Sequence, residues 1–247
     1  HLTAAVGKDH LGERIFEQLQ GIGVDVTSLQ FRSTSRTPMA SIWVEKKSGH
    51  RTIVLDRDLA PLSTDELSYE AISSARCLLL DGWETEAALK AANIARENEV
   101  DVVLDAGHVR ERMDDLLSQC DWVIVPVTFT RERFGNLDLF VAAQTLLNEC
   151  RCKGVVITNG AGGSVAVERD GNVGWHPAYQ ANVVDTTGAG DVFHAGFIHG
   201  LIMGWPFEDR IHWAAAAAAL SVTKLGARGL LPGRQDVFDL LREHGAT

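Results

Sequence analysis

The sequence predicts an α/β fold built on a mostly parallel sheet, and three observations carry that prediction. Short apolar runs of strand length recur at 77–80, 102–104, 122–125 and 155–158. Helical patterns at 85–97, 109–118 and 137–149 fall between them. Strand–helix–strand repetition of this kind gives parallel strands covered by helices on both faces. Ligands then bind beyond the carboxyl ends of the strands. Asp81-Gly82, Asp105-Ala106-Gly107, Thr158-Asn159-Gly160 and Asp185 all stand directly after apolar runs.

The remaining elements follow in chain order. Residues 2–6 read as a strand, 11–20 as a helix ended by Gly21, and 24–31 as extended chain. The chain opens on His1 in mid-strand, so a preceding segment is expected to be missing. Residues 39–44 and 51–55 flank the polar run Lys46-Lys47-Ser48-Gly49-His50 and read as a β-hairpin. Ser63 and Glu66 have capping-box spacing and are expected to start a helix running to Ile72. Residues 164–168 and 172–176 form a hairpin around Asp170-Gly171, and 192–203 is apolar enough for a buried helix. The whole, 1–247, is taken as one α/β domain with a small β appendage at about 37–55.

Composition narrows the function classes. The 247 residues carry a formal net charge of -10, which argues against a general nucleic-acid binder. No apolar run approaches the ~20 residues of a membrane span. Four cysteines without Cys-x-x-Cys spacing fit a reduced, cytoplasmic protein.

The chemistry concentrates in Val184-Asp185-Thr186-Thr187-Gly188-Ala189-Gly190-Asp191. A loop of small residues entering a helix aims free backbone N–H groups at one point, at the positive end of the helix dipole. Such a place binds an anion, typically a phosphate. Gly188, Ala189 and Gly190 let backbone approach phosphate oxygens, and Asp191 is placed to take a proton from an attacking hydroxyl. Asp185 and Thr187 offer oxygens on the other side of the turn, for a cation or for holding the loop. Thr158-Asn159-Gly160-Ala161-Gly162-Gly163 is a second glycine-rich turn at a strand end.

Other constellations fail. Neither Gly-x-x-x-x-Gly-Lys-Ser/Thr nor Gly-x-Gly-x-x-Gly occurs. Gly162-Gly163-Ser164-Val165-Ala166 misses a nucleophile elbow by one residue, and a strand-like run follows where a helix should begin. No His-Glu-x-x-His is present, and His194 and His199 read as packing or supporting residues.

These motifs, in this order, resemble the PfkB (ribokinase-like) carbohydrate kinases along essentially the whole chain. Residues 185–191 match the catalytic signature, and Thr158-x-Gly160-x-x-Gly163 matches the nucleotide-side motif. The stretch 214–220, with Gly226-Ala227 and Pro232, is similar to the final helix and loop around adenine. The resemblance implies a three-layer ribokinase-like sandwich with a β lid, supplied in part by 37–55. It implies ATP and Mg2+, with Asp191 as base and Gly188, Ala189 and Gly190 as anion hole. Thr158, Gly160, Gly163, Ala215 and Gly226 fall on the nucleotide, and Asp185 and Thr187 on a monovalent cation such as K+. One departure stands out: Val127-Thr128-Phe129-Thr130 replaces the family's Asn-x-x-Glu, leaving Glu132 as the candidate for magnesium through water.

Ser48-Gly49-His50-Arg51 with Asp56-Arg57-Asp58, and Gly226-Ala227-Arg228-Gly229, resemble kinases of ketoses such as fructose and sulfofructose. Ribose, 2-keto-3-deoxygluconate and nucleosides stay open as acceptors. A non-catalytic binding relative stays open as well, as does a homodimer formed through the lid.

Overall fold

The computed structural model describes residues 1–45, 51–169 and 171–245. The expected turn at 46–50 and Asp170 lie outside them. The chain resolves into two compact units, 1–72 and 73–247.

The first unit opens with a β–α–β pair. Strand β1 (Thr3–Gly7) runs parallel to β2 (Ser28–Arg32), with helix α1 (His10–Gly21) between them. Asp9 caps α1, accepting from the Gly12 N–H at 2.9 Å. The same carboxylate accepts from the Thr37 N–H and hydroxyl, both at 2.7 Å, and so ties the helix start to the entry of the hairpin. Val6, Val26 and Leu29 are the buried centre, packed by Ile15, Phe16 and Leu19. The extended run expected at 24–31 forms a strand only from Ser28.

Strands β3 (Met39–Val44) and β4 (Arg51–Asp56) pair antiparallel as a separate two-stranded sheet, with Ile42 opposite Ile53. Every residue of β3 is exposed. The Ser63–Glu66 box forms, but it starts a 3-10 turn at Thr64–Glu66 rather than a helix to Ile72. Leu67 is extended, and a short helix α2 restarts at Tyr69–Ser73. Arg32 grips both Glu66 oxygens, at 2.5 and 2.7 Å, and donates to the Pro61 carbonyl. That clamp holds the carboxylate in the turn.

The second unit is a six-stranded sheet in the order β10-β9-β8-β7-β6-β5. Strands β5 (Cys77–Leu80), β6 (Asp101–Asp105), β7 (Trp122–Pro126) and β8 (Gly154–Thr158) are parallel. Strands β9 (Ser164–Glu168) and β10 (Val173–His176) add antiparallel. Between the parallel strands run α3 (Thr85–Glu97), α4 (Met113–Leu117), α5 (Val127–Phe134) and α6 (Leu139–Cys150). After the sheet come α7 (Ala189–Ile202), α8 (Phe207–Ser221) and α9 (Arg234–Glu243).

Both faces of the sheet are buried, which is why its strands read as unbroken apolar runs. Trp122, Ile124, Val156 and Ala166 pack on Phe193, Phe197, Ile211 and Ala214 of α7 and α8. By strand alternation Val123, Val125, Val155 and Ile157 face the other way, and they are equally buried. The alanines of α8 are the small side chains that let it lie close against α7; Ala214 and Ala216 are fully buried.

Two helices differ from expectation. The one expected at 109–118 shrinks to Met113–Leu117, because Arg112 is left-handed (φ 59°) and residues 108–109 are held elsewhere. The helix α5 was not expected at all; of its residues only Phe129 and Thr130 are buried, so it shows no repeating apolar face.

Candidate active site

The first turn of α7 is the centre of the site. Gly188 precedes it with φ 80°, a left-handed conformation that glycine enters without steric cost. A Cβ there would lie 3.0 Å from the Cβ of Ala227. The Ala189 N–H closes on the Thr186 carbonyl at 3.2 Å. Among the described residues the N–H groups of Gly188, Gly190 and Asp191 have no protein acceptor, the usual condition of a helix start. Gly190 is exposed, and no atom lies within 4 Å of where its Cβ would stand. Asp191 is exposed beside it, in the first turn.

Asp185 latches this loop. One carboxylate oxygen accepts from the Thr187 N–H (2.9 Å) and hydroxyl (2.7 Å), and the other accepts from the Gly226 N–H at 2.8 Å. The Val184 N–H bonds the Val222 carbonyl at 2.8 Å. Val183 and Val184 form no strand and are exposed, contrary to expectation. The loop at 222–227 takes the place of a neighbouring strand in holding them.

Beneath the turn lies an ionic cluster. Asp105, at the carboxyl end of β6, is 3.3 Å from Nδ1 of His194. Burial raises the Asp105 carboxyl above the ordinary range; His194 opposes that, while Asp191 and Asp81 add to it. The His194 side chain is nearly closed off from solvent at 5% exposure. Its ring lies 2.7 Å from the Gly190 carbonyl and 3.1 Å from that of Ile124.

The second glycine turn closes on itself after β8. The Asn159 N–H donates to Gly163 (2.8 Å), Gly162 to Asn159 (2.9 Å) and Gly163 to Gly160 (3.0 Å). Gly163 has φ 80°, and a Cβ on it would overlap the carbonyl oxygen of His176. Gly160 and Gly162 are left exposed. Trp175 of β10 donates its indole N–H to the Gly162 carbonyl at 2.9 Å, steadying the turn.

A family model described as pfkB family carbohydrate kinase matches residues 1–234. The chain belongs to this family. It is 32% identical to a ribokinase of Haemophilus influenzae over 98% of this chain and 80% of that protein. A 5-dehydro-2-deoxygluconokinase of Geobacillus kaustophilus is 27% identical over 97% and 78%. The solved Arabidopsis thaliana ribokinase, complexed with ribose and ATP, superposes with a TM-score of 0.84 at 26% identity, over 97% of this chain and 81% of that one. The fold is thus ribokinase-like, and the protein is a sugar kinase.

The kinase brings some of the expected residues together and keeps others apart. Asp185, Thr187, Gly188 and Gly226 form one bonded loop pair. Asp191 joins Asp105 and Asp81 electrostatically. Thr158, Gly160 and Gly163 make their own turn, and Ala215 lies half-buried on α8 against the core. Glu132 on α5 accepts from His108 (2.6 Å) and from the Val109 N–H (3.0 Å). Its carboxyl is lowered, by the Val109 N–H first and His108 second. Thr130, where a Glu was missed, is buried with its hydroxyl on the Val127 carbonyl. Sequence reasoning placed Asp105 at a strand end and His194 on the helix, but not their contact. The signal was a polar pair in apolar surroundings, too diffuse to join 89 positions apart.

Proposed function

We propose that this kinase transfers the γ-phosphoryl group of ATP to a hydroxyl of a ketose, fructose or a derivative of it. The observation that carries the mechanism is Asp191, exposed in the first turn of α7 beside the unpartnered N–H groups of Gly188 and Gly190. Asp191 takes the proton as the sugar oxygen attacks phosphorus and ADP leaves. The N–H groups of the turn meet the charge that develops on the phosphoryl oxygens. Thr158, Gly160 and Gly163, with Ala215 and Gly226, are assigned to the nucleotide.

The open space at Gly190 fits an approaching phosphate. Magnesium, when bound, neutralises phosphate charge. Among the described residues no group of three or more His, Cys, Asp or Glu is arranged to hold a metal. We therefore assign magnesium to the ATP phosphates, with Glu132 reaching it only through water. The cation assigned to Asp185 and Thr187, K+, rests on the family resemblance; their observed work is latching the loop.

Residues 37–55 are assigned to a lid within one functional domain. The exposed Ile42, Val44, Ile53 and Leu55 favour pairing of that lid with a second copy. Four unpaired cysteines fit the cytoplasm. No helix among the described residues is long and apolar enough to cross a membrane.

The relatives' names make ribose and 5-dehydro-2-deoxygluconate the second reading of the acceptor. A panel of fructose, ribose and 5-dehydro-2-deoxygluconate with ATP and magnesium separates them. Asp191→Asn should lower kcat on the best acceptor by about 10²–10⁴-fold with ATP affinity nearly unchanged. A variant keeping a tenth of the activity removes Asp191 from the base role.

A further inference from the structure

Among the described residues, His194 is the buried ionisable group that touches the catalytic turn and that the proposed mechanism leaves unused. Its residue is 4% exposed. Both ring nitrogens face carbonyl oxygens: Nδ1 that of Gly190 at 2.7 Å, Nε2 that of Ile124 at 3.1 Å. A neutral imidazole has one N–H and one lone pair. Either tautomer would set a lone pair against a carbonyl oxygen inside a closed site, where the two repel. Only the doubly protonated ring donates to both. The counter-charge is in place, because Asp105 lies 3.3 Å from Nδ1.

The charged groups around the Asp105–His194 pair come from three elements. Strand β6 supplies Asp105, the end of β5 supplies Asp81 near it, and α7 supplies Asp191. Strand β7 offers the Ile124 carbonyl to Nε2, and the Ile124 side chain packs in the core cluster that holds Ile211 and Ala214 of α8. One cation among three carboxylates is the balance this arrangement gives.

We propose that His194 is a positioning residue of the kinase site, whose imidazolium ties the Gly190 carbonyl to the ends of β6 and β7 and so fixes the turn that presents Asp191. With that carbonyl drawn inward, the N–H groups of Gly188, Gly190 and Asp191 are left pointing outward. The buried positive charge adds to the helix dipole at the point where phosphoryl charge develops. This rests on Asp191 being the base, so the tests of the two are kept separate.

The first test uses the unaltered protein. Nitrogen-15 spectra of its histidine rings at neutral pH should show both His194 nitrogens protonated, whatever the activity assays give for Asp191→Asn. A neutral His194 ring overturns the proposal. The second test is kinetic. His194→Gln should lower kcat by about 10–100-fold while the KM for ATP moves less than about threefold. Asp105→Asn should show the same split, and the double variant should lose less than the product of the two losses, since they share one contact. A folded His194→Gln with wild-type kcat overturns it. If that variant does not fold, Asp105→Asn decides, and wild-type kcat there is equally fatal. Loss of activity in Asp191→Asn alone cannot rescue it.

Discussion

Gly163 and Gly190 occupy similar glycine-rich turns, yet their backbones make opposite demands. Gly163 is left-handed, and its missing Cβ is what leaves room for the His176 carbonyl. Gly190 lies inside the first turn of α7 with open space before it, and its φ is not in the left-handed region. The helix begins one residue earlier, so Gly190 has no need of a left-handed φ. Gly163→Ala should therefore cost about 2–4 kcal/mol, from the left-handed backbone together with the overlap. Gly190→Val should alter stability by less than about 1 kcal/mol, since a helical glycine is itself unfavourable. Its branched side chain would fill the space assigned to phosphate, and turnover should fall more than about tenfold. Unfolding and turnover recorded on both variants decide the matter. Wild-type turnover in Gly190→Val would take that backbone out of the anion site.

At the scale of elements, sequence legibility followed the physics of burial. Strands β5 to β8 were visible because burial on both faces leaves an unbroken apolar run, and α3 because alanine recurs at helical spacing. The catalytic turn was legible through its residue types. What was not legible depended on distant partners. The capping box at Ser63 could not reveal that Arg32 would hold Glu66, nor could His194 reveal the Ile124 carbonyl 70 positions away. The hairpin β3–β4 was legible as a hairpin, but its covering is a separate question. Its pairing puts Ile42 against Ile53 and Ala40 against Leu55, so these four apolar residues share one face. Exposed strands of that kind invite pairing with another chain. Sedimentation equilibrium should show a dimer, and Ile42→Lys should shift it to monomer without altering the far-ultraviolet spectrum. A wild-type monomer at tens of micromolar would remove the assigned dimer.

Across the whole molecule, the two carboxyls that folding lowers furthest both lie in the first unit, and that placement predicts how acid unfolds the chain. Asp9 is lowered from 3.8 to about 2, chiefly by the Thr37 N–H and then by Gly12. Glu66 is lowered from 4.5 to about 2, chiefly by Arg32. Both lie in residues 1–72. A carboxyl depressed by folding binds fewer protons in the folded state, so its stabilisation is present above the unfolded value. It is lost as pH falls from the mid-fours toward 2. Asp105, in residues 73–247, is raised by burial and has the opposite sign. Its folded form favours the proton, so acidification relieves the cost of burying its charge and weakens only its tie to His194. Residues 1–72 should therefore open first. Hydrogen exchange at about pH 3, corrected for intrinsic rates and compared with neutral pH, should show protection lost in 1–72 before 73–247. Asp9→Asn should narrow the gap between the units, because one of the two acid-sensitive latches then no longer titrates. Simultaneous loss of protection in both units would mean that general charge repulsion, rather than these two carboxylates, governs acid unfolding.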